Sequence, residues 1–338
     1  MQTLSLRNVR LTLSSNKTKC DKKIFLIAFL FCSEKYYHSM KKYVISSLCI
    51  LLALVFINPL SLKTTNSDSP TEGTASFLFP KTPDSVRIMS YNILSDGIGF
   101  DGFDAQSREE QLQGILKETQ PDILGLQEAS RGWHKSICNS PIPLRFTTPA
   151  RYMLSGSMTT LLFNPETLTL LKSGTQAFRY SYDSRLRCFT WCIFSHKVTE
   201  NKFIIINTHL SLQEKNEKFP LNQATELVEF IKSIREKNPY PLFLIGDLNS
   251  KEGDENTSAV YKYLSLHLEN ARYIALNKTY GEDKTIRAPI NDYILCTDDV
   301  TVHSYNLLSL PRLNVISDHY PIFADVLLQP EQENDIIN

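Results

Sequence analysis

Between residues 84 and 328 the chain carries ten short apolar runs rich in β-branched and aromatic residues. They are VRIMSYNI (86–93), DILGLQ (122–127), MTTLLFN (158–164), TLTLLKS (167–173), RCFTWCIFSHKV (187–198), KFIIINTHL (202–210), PLFLIGDL (241–248), DYILC (292–296), VTVHSYNLL (300–308) and YPIFADVLL (320–328). Runs of this length and composition read as strands. Two helical patterns lie between them: residues 105–119 place Leu112, Ile115 and Leu116 on one face, and residues 222–237 do the same with Leu227, Phe230, Ile231 and Ile234. Ten strands with interspersed helices imply an α/β domain with one very large sheet or two, and a sheet this wide usually splits into two that pack face to face. Residues 162–166, LFNPE, read as a hairpin turn. No internal repeat is present.

Composition agrees with a globular domain: 42% of the 338 residues are hydrophobic and 21% are charged. Net charge is zero but uneven, +7 over residues 1–83, −4 over 84–328 and −3 over the last ten. A slightly acidic domain weakens a dedicated nucleic-acid binder, which is ordinarily basic. Cys138, Cys188, Cys192 and Cys296 show no metal-binding spacing, and Cys188 and Cys192 share a strand face too far apart to bond, so they read as small buried hydrophobes.

Ahead of the domain, residues 43–60 (YVISSLCILLALVFINPL) contain no charge and follow Lys41 and Lys42. A short basic stretch before an apolar run predicts a secretory signal or signal anchor, placed here at 40–62. No clear cleavage site follows, so anchored and cleaved forms both stand. Residues 63–83, rich in Ser, Thr and Pro, read as a linker, 84–328 as the folded domain, and 329–338 as a polar tail. Met40 stands where a start would, and residues 1–39 form a basic extension of doubtful status. The expected location is outside the cytoplasm, secreted or held at a membrane through residues 43–60.

Chemistry is expected where polar groups terminate apolar strands, because the run fixes the backbone and the terminal side chain projects from it. Asn92 follows IMSY, Glu128 ends DILGLQE, His209 ends IIINTH, Asp247 and Asn249 end FLIGDLN, Asp292 opens DYIL, and Asp318 and His319 precede YPIFADV. Each alone is an ordinary strand end, Asx turn or structural histidine. Together they supply hard oxygen ligands and proton-transfer groups, a set that suits Mg²⁺ or Mn²⁺ better than Zn²⁺.

Six of these segments in order, SYNIL (90–94), PDILGLQE (121–128), NTHL (207–210), GDLNS (246–250), NDYIL (291–295) and SDHYP (317–321), resemble the endonuclease/exonuclease/phosphatase superfamily of DNase I-like enzymes. The resemblance implies a four-layer sandwich of two packed mixed β-sheets flanked by helices. It also implies metal-assisted attack of water on a phosphodiester or phosphomonoester. Carried over by resemblance, Glu128 is the main metal ligand with Asn92 beside it, and Asp318 lies near the metal. Asp247 and Asn249 orient the water and hold phosphoryl oxygens, and His209 contacts the phosphate. His319 is general base or electrostatic partner, oriented by Asp292. Arg187, in RCFTW (187–191), faces the phosphate or caps a sheet edge.

Leu94 stands where the apurinic-endonuclease branch has Asp, and residues 290–293 depart from the inositol 5-phosphatase pattern. SYNIL and GDLNS are most similar to the deadenylase/nocturnin type and to generic bacterial members, but an exported protein meets no messenger RNA. The expected partner is therefore a phosphate-ester substrate of open class, with a membrane if the leader is uncleaved, and no protein partner. Three other readings are an extracellular nuclease, a sphingomyelinase-like lipid phosphodiesterase, and an inactive binding module on the same fold. A nuclease needs a basic groove, hinted at by Arg145, Arg151, Arg179, Arg185 and Arg187.

Overall fold

A computed structural model describes residues 80–95, 105–138, 143–147, 159–179, 187–212, 218–254, 258–279, 291–308 and 316–328. The extension, the apolar run 43–60, residues 63–79 and the tail 329–338 lie outside these. Among the described residues no helix is long and apolar enough to cross a membrane.

Thirteen strands are described: β1 (Ser85–Asn92), β2 (Ile123–Gln127), β3 (Arg145–Phe146), β4 (Thr160–Phe163), β5 (Leu168–Ala177), β6 (Cys188–His196), β7 (Lys202–His209), β8 (Leu242–Asp247), β9 (Glu269–Asn270), β10 (Asn277–Thr279), β11 (Asp292–Cys296), β12 (Val300–Leu307) and β13 (Ile322–Leu328). The described helices are α1 (Ala105–Thr119), α2 (Arg131–Cys138), α3 (Lys218–Lys237), α4 (Ala259–Leu264) and α5 (Ala271–Ile274). The strands form a seven-stranded sheet, β10-β12-β13-β1-β2-β4-β3, and a six-stranded sheet, β5-β6-β7-β8-β11-β9. Both are mixed, as expected of the sandwich.

Burial on both faces explains why the central strands are nearly continuous apolar runs. Along β1, Val86 and Ile88 point into the core between the sheets, whereas Met89 and Tyr91 point the other way, toward Leu112, Ile115 and Leu116 of α1 and Trp133 of α2. In the second sheet, Phe203 and Ile205 of β7 and Phe243 and Ile245 of β8 join the shared core, while Ile204, Ile206, Leu242 and Leu244 meet Leu227 and Ile231 of α3. The order helix, sheet, sheet, helix is the four-layer arrangement.

The segment 162–166 is not a hairpin. It turns, with Leu168 N donating to Asn164 O (3.0 Å), but β4 lies in the first sheet and β5 in the second. The turn is tied to both: Asn164 N donates to Asp122 O (2.8 Å) and Lys197 N to Thr167 O (2.9 Å). β4 is buried throughout, whereas β5 is mostly exposed beyond Leu168, so the two fit different places in the sandwich.

Strand direction decides what meets at one rim. β1 and β2 are parallel, as are β7 and β8, so Asn92, Glu128, His209 and Asp247 leave at the same end. β11 runs antiparallel to β8 with Asp292 opposite Asp247, and β13 runs antiparallel to β1 with Ile322 opposite Ser90. Asp292 and the residues leading into β13 therefore arrive at that rim from the other direction.

Candidate active site

The inner faces of the sandwich change character toward this rim. Ile88, Ser90 and Asn92 follow one another along β1, Ile123, Gly125 and Gln127 along β2, and Ile205, Asn207 and His209 along β7, every second side chain facing the other sheet. The middle layer is a buried polar bridge. Gln127 Nε2 donates to Asn207 Oδ1 (2.7 Å) and Ser90 Oγ (3.3 Å), and Asn207 Nδ2 donates to the carbonyls of Leu126 (3.0 Å) and Thr160 (2.8 Å). These hydrogen bonds cross from one sheet to the other and tie the two surfaces together, with Gln127 Oε1 buried and without a partner among the described residues. The sheets are close here: a Cβ on Gly125 would stand 2.5 Å from Ile245 Cδ1 and 3.2 Å from Asn207.

Above the bridge, three groups come from each sheet. Their meeting point is Asp247 Oδ2, which is 3.0 Å from Asn92 Nδ2, 3.5 Å from His209 Nε2 and 3.8 Å from His319 Nε2. The other oxygen, Oδ1, accepts the Asn249 backbone N–H (2.8 Å), which leaves Oδ2 facing the cluster. The carboxylate is buried (1% exposed) and accepts from Asn92 Nδ2 and the Asn249 N–H. Asn92 Nδ2 also donates to Glu128 Oε1 (3.3 Å), so two carboxylates converge on one amide.

Glu128 reaches that point by breaking the strand's alternation. Strict period two would place it with Leu124 and Leu126 on the helix-covered face, but its φ of 58° is left-handed. Leu94 (φ 51°) and Asn249 (φ 48°) do the same just past β1 and β8. Such conformations cost of order 1–3 kcal/mol each for non-glycine residues and persist only where the surroundings over-determine them.

His319 Nδ1 meets Asp292 Oδ2 at 2.6 Å. Burial opposes its charge, but Asp292 beside it, their hydrogen bond, Asp247 and Asp318 together push its pKa up to about 10. Asp292 Oδ1 is buried with no hydrogen-bond partner among the described residues. Ligand atoms of Asp247, Asp292 and His319 all lie within 4.8 Å of one another. Converging carboxylates and an unpartnered buried oxygen fit a hard divalent cation held by oxygen, with Glu128 at the cluster's edge.

The remaining expected residues are placed less centrally. Asn249 turns its side-chain Nδ2 to the Leu210 carbonyl (2.8 Å). Asp318 is exposed on the loop before β13, next to His319, and its charge acts on that imidazole. Arg187 is buried, with Nη1 3.5 Å from the His209 carbonyl oxygen that it donates to. Of the arginines that hint at a basic groove, Arg145 and Arg179 are exposed, and Arg151 and Arg185 lie outside the described residues.

Supporting residues escaped the reading of the sequence. Ser317 Oγ donates to the Asn92 carbonyl (2.7 Å) and accepts the His319 N–H (3.2 Å), joining the loops that carry both. Tyr293, whose phenol burial holds well above its ordinary pKa, donates to Ser250 O (2.7 Å) and accepts Glu252 N–H (3.1 Å). Arg108 had a visible signal, since it precedes Leu112 and Ile115 by four and seven residues and so lies on the apolar stripe of α1. A charge in such a stripe is buried and needs partners.

Residues 89–319 match the Endonuclease/Exonuclease/phosphatase family. No curated protein sequence matches. Among solved structures, the chain is similar to an endonuclease/exonuclease/phosphatase from Bacteroides vulgatus, with a TM-score of 0.62 and 21% identity over 72% of this chain and 99% of that one. It is also similar to the mannosyl-6-phosphatase Bt3783 of Bacteroides thetaiotaomicron VPI-5482 (TM-score 0.59, 17% identity, 71% and 99% covered). The human nocturnin catalytic domain is a third, with a TM-score of 0.53 and 20% identity over 74% and 97%. At these identities the likeness is one of fold. The family match spans most of the chain and takes in five of the six rim motifs whole and the sixth through His319, and on that ground the chain belongs to the Endonuclease/Exonuclease/phosphatase family.

Proposed function

We propose that this chain is an exported, divalent-metal-dependent phosphoesterase that hydrolyses a phosphodiester or phosphomonoester by attack of water. The family's chemistry is hydrolysis of phosphate esters, and it is generally divalent-metal dependent. The observation that carries the reading is the convergence of Asn92, His209 and His319 on one oxygen of Asp247. Glu128 and the Asp247 cluster would hold Mg²⁺ or Mn²⁺, with Asn92 beside them donating Nδ2 to both carboxylates; the ion when bound supplies charge neutralisation for an anionic ester. Asp247, with Oδ1 fixed by the Asn249 amide, uses Oδ2 to orient the attacking water. His209 directs Nε2 at the phosphoryl oxygens. His319, held through Nδ1 by Asp292, is the general base or, as an imidazolium, the electrostatic partner of the phosphate. Arg187 and Asp318 stand at the margin of this scheme.

Export rests on Lys41, Lys42 and the uncharged run 43–60. Whether that segment is removed or retained decides between a secreted enzyme and one tethered to a membrane.

The test is hydrolysis of bis-p-nitrophenyl phosphate and p-nitrophenyl phosphate by the purified protein. Activity is expected with Mg²⁺ or Mn²⁺, should vanish in EDTA, and should be lost in Asp247→Asn. Undiminished hydrolysis by thoroughly chelated protein would defeat the metal-dependent reading.

A further inference from the structure

Arg108 is a long cation on the apolar face of α1 with no exposed surface. Among the described residues its guanidinium donates to four backbone carbonyls: Nη2 to Ile93 (2.7 Å) and Leu94 (2.8 Å), Nη1 to Ser95 (3.0 Å), and Nε to Ile316 (2.8 Å). It also lies 5.0 Å from the centre of the Trp133 ring, and Trp133 Nε1 donates to the same Leu94 carbonyl (2.8 Å). The carbonyls belong to two loops. One follows Asn92, and the other leads to Ser317 and His319.

Leu94 links this clasp to the site. Its left-handed φ of 51° is one that a branched side chain rarely adopts, and two donors grip its carbonyl. In that conformation the Leu94 N–H points back to Asn92 Oδ1 (3.2 Å). A hydrogen bond to Oδ1 decides which way the amide faces, and so directs Nδ2 at Glu128 and Asp247. The planar fork of a guanidinium suits this task, because it serves several oxygens in one plane where an ammonium cannot.

We propose that Arg108, backed by Trp133, is a positioning residue that sets the Asn92 amide and the spacing between the Asn92 and His319 loops. The proposal rests on the site reading above but concerns a residue that touches no substrate. Its first test needs no catalysis. In ¹⁵N spectra of the metal-free protein, the Asn92 side-chain amide is identified by its absence from Asn92→Ala. That signal should shift or broaden in Arg108→Lys and, less strongly, in Trp133→Phe, which keeps the ring and loses the indole donor. An unmoved Asn92 amide in folded Arg108→Lys overturns the proposal.

The second test is kinetic. Arg108→Ala should lower kcat about 10- to 100-fold, the usual loss when a group supporting a site residue is removed. KM should stay within about 2-fold, since no substrate contact is lost. In the Asn92→Ala background the same change should cost little more. Methylguanidine, which fits the space left in Arg108→Gly, should restore part of the rate. Losses that follow only the unfolded fraction would mark Arg108 as structural and overturn the proposal. Should Arg108→Ala not fold, Arg108→Lys and Trp133→Phe carry the same comparison. Absence of hydrolysis by the unaltered protein would defeat the functional reading, while the Asn92 signal would still decide the positioning role.

Discussion

His319 and Asp292 come from different sheets, and the Nδ1 of one stands 2.6 Å from the Oδ2 of the other. A carboxylate behind an imidazole acts through that imidazole, so the two should behave as one unit. Asp292→Ala and His319→Ala should each lower kcat/KM by roughly 10²- to 10⁴-fold. The double variant should fall little below the worse single one. Steady-state kinetics at saturating Mg²⁺ decide it, and multiplicative losses in folded proteins would show two independent residues.

The same pair gives a pH signature. His319 is held up to about 10 in the metal-free fold, against an ordinary value near 6.5. Its contribution to stability is complete below pH 6.5 and is lost as pH rises through 10. In the metal-free protein its ¹⁵N signals should remain those of an imidazolium at pH 8. Asp292→Asn should bring the titration back toward neutrality. Deprotonation of His319 below pH 8 in unaltered, metal-free protein would contradict the geometry.

Cation binding should register as stability. Mg²⁺ at about 100 times its dissociation constant should add roughly 2.7 kcal/mol to a site that exists only in the folded state. Differential scanning fluorimetry with Mg²⁺ and with EDTA should show the gain in the unaltered protein and a much smaller one in Asp247→Asn. An equal gain in both would place the cation elsewhere.

Gly246 is a backbone requirement of the motif GDLNS. Its φ is 135°, and an added Cβ would run into the Thr208 carbonyl on the neighbouring strand β7. Gly246→Ala should cost about 3 kcal/mol or more in urea denaturation. A loss under about 1 kcal/mol would mean that β7 and β8 are less constrained than described.

Export is checked by fusing residues 40–90 to alkaline phosphatase, which needs an oxidising compartment for its disulfides. An active fusion is expected. A stable but inactive one would remove the leader from the account.

All ten apolar runs became strands; the central ones bury two faces, and apolar continuity is the direct record of that burial, while β5 is mostly exposed beyond Leu168. The three strands that went unnoticed, Arg145–Phe146, Glu269–Asn270 and Asn277–Thr279, carry no such run and pair at the sheet margins. α2, α4 and α5 span eight, six and four residues, too few for a helical period to declare itself. The hairpin expected at 162–166 failed because a turn motif specifies a change of direction and not which sheet receives the next strand. The rim residues were legible as polar ends of apolar strands. What local pattern could not hold was the turning of Glu128 against its strand's alternation, or the reach of Arg108 to carbonyls 13 to 208 residues away in sequence.

The two parallel pairs and two antiparallel strands have a consequence for descent. The segments that leave β1 and β7, and those that enter β11 and β13, all attach at the rim where the six side chains meet. Lengthening or exchanging any of these connections alters what an incoming molecule touches, while strand ends anchored in two sheets keep their places. Heredity can therefore edit the clientele and leave the reaction alone, a division of labour open to a fold whose variable parts and fixed chemistry share one edge.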